Sequence, residues 1–167
     1  MANVIREQKL IDGTKRSLLK YVFIADGTAE ANTLLLNASS LAFALNANGY
    51  IMIAGVHPKS NYRTTIKRIY GQAKANGYFK LQWKGDANSE IVTFSNGMFN
   101  YDFESMGDGA VIINPEANAT GNILFSTVGL TSTDSFTLFI DLRKNNADYD
   151  AGQSADPTAF NRGPAAP

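Results

Sequence analysis

Asparagine is followed by glycine at Asn48-Gly49, Asn76-Gly77 and Asn96-Gly97, and between these three dipeptides the chain alternates apolar and polar residues. A tight hairpin turn needs positive φ at both central residues, and Gly and Asn accept it at the lowest cost. The dipeptides therefore read as punctuation between short strands. Thr64 to Ala73 and Tyr78 to Lys84 flank Asn76-Gly77 as the arms of the clearest hairpin, and Ile91 to Ser95 with Met98 to Phe103 repeat the plan around Asn96-Gly97. The expectation is a meander with short links.

Alternation also assigns faces. Phe79, Leu81 and Trp83 point one way and Tyr78, Lys80, Gln82 and Lys84 the other, so Trp83 is a core residue. In Ser135 to Lys144, Phe136, Leu138, Ile140 and Leu142 form an inward row, and Thr137, Phe139, Asp141 and Arg143 an outward one. Phe139 is the apolar exception on that polar face. Ser17 to Ile24, closed by Asp26-Gly27, Thr33 to Leu36, and Asn122 to Val128 read as further strands, while Leu34 to Leu45 is open between a short helix and a strand, with Asn37, Ser39 and Ser40 as turn formers. Short strands at roughly 8 to 12 residue spacing, without the long helical pattern that parallel units need, predict an all-β fold. The predicted domain is an antiparallel β-sandwich or jelly-roll-like unit over residues 14–144, with an N-terminal arm (1–13) and an extended or disordered C-terminal tail (145–167).

The 167 residues suit one such domain with extensions, large enough to fold without disulfides or a structural metal. Fifteen Lys and Arg balance fifteen Asp and Glu, so no net field draws the chain to nucleic acid or to an anionic membrane. Cysteine is absent, which removes thiolate metal sites and Cys nucleophiles. No run approaches the roughly 18 apolar residues of a membrane span, and the expected product is soluble, with no membrane partner.

Chemistry has few places to sit. The single histidine, His57, lies in the turn-like Gly55-Val56-His57-Pro58, without a nucleophile elbow or a second metal ligand at helical spacing. Asp102 and Glu104 would share a face if their segment is a strand, and Asp108 follows, but acidic residues on a wet face running into a Gly-Asp-Gly turn need no further role. Asp148, Asp150 and Asp156 lack the spacing and terminal Glu of an EF-hand. Lys80 and Lys84 with Tyr78 could form a basic aromatic stripe, which on a sheet more often keeps an edge soluble than binds a nucleic-acid strand. No catalytic, cofactor-binding or metal-ligating residue is assigned.

The tail is poor in aliphatics yet carries Tyr149 and Phe160. A free tail gains nothing from aromatics, so these two suggest a strap docked on this domain or on a neighbour, the alternative being a disordered tail in which both are incidental. With Phe139 they are the candidate subunit contacts.

The stretches IKRIYGQAKANGYFKLQWKGDANSEIVTFSNGMFNYDF and GNILFSTVGLTSTDSFTLFIDLRK resemble the small virion structural proteins of tailed bacteriophages. The features carrying the resemblance are Leu81 to Trp83, Gly121 to Gly129 and Phe136 to Lys144, which are strand and turn patterns spanning roughly Arg16 to Lys144. The resemblance implies a non-enzymatic capsid decoration (cement) protein of the virion, without cofactors, bound to the major capsid protein or other virion subunits. It also implies a homo-oligomer, a trimer being favoured. A collar, neck or fibre component, or a carbohydrate-binding β-sandwich for host recognition, are the alternatives; the inward Trp83 argues against its stacking on a sugar, while Tyr50 and Tyr62 remain open.

Overall fold

The computed structural model describes residues 3–47, 49, 51, 59–106, 111–116 and 118–149. Nine strands run through them: β1 (Val4–Asp12), β2 (Arg16–Ile24), β3 (Thr33–Leu36), β4 (Thr64–Lys74), β5 (Tyr78–Trp83), β6 (Ser89–Phe94), β7 (Gly97–Asp102), β8 (Ile123–Val128) and β9 (Ser135–Lys144). They form two antiparallel sheets, one of five strands in the order β1-β2-β9-β4-β7 and one of four in the order β3-β8-β5-β6. The protein is an all-β sandwich.

The inward rows meet between the sheets. Phe136, Leu138, Ile140 and Leu142 of β9 are buried, as are Phe79, Leu81 and Trp83 of β5, in agreement with the alternation. Phe23 of β2 joins the layers: its ring lies edge-on to Phe79 at 5.7 Å and Phe125 at 5.6 Å in the opposite sheet, and stacks on Phe136 at 5.1 Å in its own. Such aromatic contacts add to the free energy of burial because edges and faces carry opposite partial charge.

The ladders are nested. β5 pairs with β6, β4 with β7, β3 with β8 and β2 with β9, so the chain runs out to the β5–β6 turn and returns beside itself. Two further ladders, β4 with β9 and β5 with β8, roll this double strand into the sandwich.

This order corrects the meander. β4 and β5 lie in different sheets, as do β6 and β7, so the Asn76-Gly77 and Asn96-Gly97 links are arches across the core and not hairpins. Alternation could not separate the two, because a strand with one apolar face looks the same whether its successor lies beside it or opposite it. Asn76 lacks the positive φ of a tight hairpin turn; its amide donates to Thr131 Oγ1 at 3.4 Å and Asp134 Oδ1 at 3.3 Å. Gly97 does have positive φ, at 114°. The β5–β6 hairpin turns instead at residues 84–88, where Asn88 has φ 41° and its Oδ1 accepts from the Gly85 N–H at 3.3 Å. Asn48 lies outside the described residues.

Two boundaries also move. Residues expected as an arm form β1, paired along β2 from Val4↔Ile24 to Asp12↔Ser17. Within Leu34 to Leu45 the chain is strand, then a 3-10 turn: β3 ends at Leu36, Asn37 caps the turn Ala38–Ser40 by accepting from the Ser39 N–H at 3.2 Å, and Ala44 and Leu45 make isolated bridges. Residues 145–149, expected in the tail, fold against the sandwich through a bridge between Ala44 and Tyr149.

Candidate subunit-contact surface

β9 runs through the middle of the five-stranded sheet, which puts Phe139 at the centre of the outer face. Lys20 of β2 stands opposite it on one side and Tyr70 of β4 on the other, followed by Asn100 of β7. The Phe139 and Tyr70 rings lie parallel, with centroids 4.8 Å apart and planes within 3°, and both are half-buried. The Arg68 guanidinium sits 4.8 Å from the Tyr70 ring centroid and donates to Asn100 Oδ1 at 2.9 Å. Around this aromatic centre lie ion pairs: Arg16 grips Asp141 with two hydrogen bonds of 2.8 and 2.6 Å, and Lys67 reaches Glu104 at 2.6 Å. An apolar centre ringed by charge is the anatomy of a protein contact surface.

The sequence names Tyr70 only as an aromatic among basic residues, and its place beside Phe139 is hidden for a local reason. The β4–β9 register shifts between Ile66 and Arg68. Counting by twos from the buried Ile66 places Tyr70 inside; the bulge reverses the faces, so Ile69 is buried and Tyr70 turns outward beside Phe139.

Tyr149 sits elsewhere. It is fully buried in its own domain, its hydroxyl donates to the Ala38 carbonyl at 2.9 Å, and its ring lies 5.8 Å from Tyr62. Of the two docking places left open by the sequence, it takes the first, and its side chain is withdrawn from the surface that a neighbour could touch. Asp148 holds the turn in place by accepting from the Arg63 backbone N–H and Nε at 3.0 Å each, with Lys59 Nζ 3.6 Å away. Phe160 lies outside the described residues.

Beside Tyr149 is a buried ion pair. The Lys144 ammonium, with a fully buried side chain, donates to Asp12 Oδ1 at 2.6 Å and to the Gly13 and Ala42 carbonyls at 2.7 Å each, and lies 5.2 Å from the Tyr149 ring centroid. Asp12 also accepts from Ser17 Oγ at 2.7 Å and from the Ala42 N–H at 2.9 Å. Burial alone would raise the Asp12 pKa, but the hydrogen bonds from Lys144, Ala42 and Ser17 with the Lys144 charge hold it below its ordinary value. Burial pushes Lys144 down, against the hydrogen bond and charge of Asp12. The cluster ties β1, the segment after the 3-10 turn and the end of β9 together, so its role is structural.

The remaining candidates separate. β7 ends at Asp102, which accepts from the Ser105 N–H at 3.3 Å, while Glu104 opens a 3-10 turn and pairs with Lys67, so the two carboxylates do not share a strand face. Gln82, expected on the wet face with Lys80, is buried, and its Oε1 accepts from Ser126 Oγ at 3.2 Å; Lys84 falls beyond the end of β5. Trp83 and Tyr62 are both buried, leaving neither to stack on a sugar. His57, Tyr50, Asp108, Asp150 and Asp156 lie outside the described residues. Among those described, no three or more His, Cys, Asp or Glu side chains gather as metal ligands, and no helix is long and apolar enough to cross a membrane. Comparisons with protein-family models, with curated proteins and with solved structures find no match to this chain.

Proposed function

We propose that the protein is a non-enzymatic virion structural protein, a decoration (cement) module that binds the major capsid protein of a tailed phage and stiffens the shell through contacts between subunits. The observation that carries the reading is the strand order: β2-β9-β4-β7 facing β3-β8-β5-β6, with nested pairs closing at β5–β6, is the order of a double-sheet jelly roll. That architecture recurs in viral capsid and lectin domains. Because a fold does not by itself assign a function, the outer face of the five-stranded sheet supplies the second support. Its Phe139–Tyr70 centre and charged surround suit a protein partner, and many weak copies on one shell would add through multivalency.

Mixing the purified protein with undecorated capsids of the same phage and sedimenting them tests the reading. Stoichiometric co-sedimentation supports it; protein left wholly in the supernatant overturns it. Phe139→Ala should weaken attachment by about tenfold or more, the size expected at the centre of an interface. Folding should survive, because the change removes one ring from a solvent-facing pair worth about 0.5–1.5 kcal/mol beyond its burial. Attachment unaltered by Phe139→Ala would move the contact to another surface.

A further inference from the structure

We propose that β1 is a docking edge for a second copy of this chain, the two β1 strands pairing antiparallel about a two-fold axis at Gln8 and joining two five-stranded sheets into one of ten. β1 ends its sheet, and eight of its nine residues are exposed. Along its far side run backbone N–H and C=O groups with no strand beside them among the described residues, a template for another strand. Val4, Ile5, Leu10 and Ile11 are 40, 37, 43 and 42% exposed, an apolar content at both ends of the strand that its own sandwich covers only in part.

The charges name the occupant. Exposed edges usually deter pairing with charged side chains, and β1 carries Arg6, Glu7 and Lys9. In a pairing centred on Gln8, Glu7 of each copy stands directly opposite Lys9 of the other, and both residues lie on the face that looks toward Tyr21 and Leu19. Opposite charges in such cross-strand positions attract. Sliding by two residues one way sets Glu7 against Glu7, and the other way sets Lys9 against Lys9. A slide by one residue turns every side chain to the wrong face. The charges therefore reject the neighbouring registers and accept the one centred on Gln8. Lys9 Nζ already donates to the Ser40 carbonyl at 2.6 Å and lies 3.5 Å from Asp12 Oδ2, which holds the ammonium in place at this edge. The bulge between Lys9 and Ile11 limits the regular shared ladder to the Glu7–Lys9 stretch, which is symmetric about Gln8, and turns Ile11 toward Leu18 on the outer face. An isologous contact of this kind closes at two copies, in place of the three-fold order that the resemblance implies.

The inference deepens the assembly part of the virion reading and fails separately from it. Sedimentation velocity over a concentration series should show the wild type in monomer–dimer equilibrium. Glu7→Lys places lysines opposite Lys9, Lys9→Glu places glutamates opposite Glu7, and each alone should weaken association by about tenfold or more. Mixing the two variants in equal amounts puts opposite charges across both positions, and the dimer should return. Circular dichroism checks folding; should Lys9→Glu not fold, Glu7→Lys, at an exposed position, decides alone. A wild type monomeric at every concentration, or a dimer indifferent to the reversals, overturns the β1 pairing, and capsid co-sedimentation still decides attachment by itself.

Discussion

Lys144→Ala is expected to lower the stability of the sandwich by about 3–5 kcal/mol, because it strands Asp12 as a charge whose buried partner is gone. The ammonium has no access to water and is held by one carboxylate and two backbone carbonyls, so all three of its protons are used. Removing it also leaves the Gly13 and Ala42 carbonyls without that donor. Asp12→Ala should cost a comparable amount, since Ser17 Oγ and the Ala42 N–H lose their acceptor together with Lys144. The double variant should cost less than the sum of the two, with a coupling of about 1–3 kcal/mol, because the second removal no longer strands a charge. Urea denaturation followed by fluorescence of the single, buried Trp83 gives all four stabilities. A cost for Lys144→Ala below about 1 kcal/mol, the range of a surface ion pair, would contradict a buried lock.

The acid limb of the stability curve follows from the same carboxylate. Its folded pKa lies below the ordinary 3.8, so the unfolded chain binds more protons as the pH falls past that value. The stabilisation from Asp12 is therefore complete above this value and is lost as the pH drops through the folded pKa. Asp12→Asn should be less stable at neutral pH and should show a shallower loss on acidification.

How far the fold was legible depends on the kind of information each feature carries. β9 reads directly, since Phe136, Leu138, Ile140 and Leu142 alternate without a bulge and all four are buried. β5 does the same through Phe79, Leu81 and Trp83. What alternation omits is the partner: it shows that a strand has an inner face but not whether the chain next turns beside it or crosses the core. The arches at Asn76-Gly77 and Asn96-Gly97 were misread for that reason. β1 hides for the opposite reason, because an edge strand exposed along both faces has no apolar alternation to show, and its sequence looks like a polar arm. At the candidate contact surface, Phe139 stands out as an apolar residue in a polar row, while Tyr70 is concealed by a one-residue bulge. Tyr149 announces itself as an aromatic in an aliphatic-poor stretch. Its docking place depends on Asp148 meeting Arg63 and on the Ala38 carbonyl, contacts distant in sequence that no local pattern contains.

Gly77→Ala is expected to be as damaging as any core truncation, at about 3 kcal/mol or more, whereas Gly97→Ala should cost about 1–2 kcal/mol. The two glycines sit in the same dipeptide context and in equivalent arches, yet they are required for different reasons. A methyl group at Gly77 would overlap the Val128 carbonyl oxygen and come within 2.6 Å of the Gly129 carbonyl carbon. Those are backbone atoms at the end of β8, where Val128 pairs with Tyr78, so relief demands that the first rung of the β5–β8 ladder move. Gly97 meets nothing within 4 Å, and its requirement is conformational, a φ of 114° that side chains rarely adopt. Asparagine tolerates positive φ better than alanine, so Gly97→Asn should recover part of the loss. Gly77→Asn should recover none, because a Cβ of any kind strikes the same carbonyl. Thermal or urea unfolding of the four variants reads the contrast: recovery by asparagine at both positions would mean that Asn76-Gly77 is an ordinary turn, and that the close passage of the arch over β8 is not what selects glycine there.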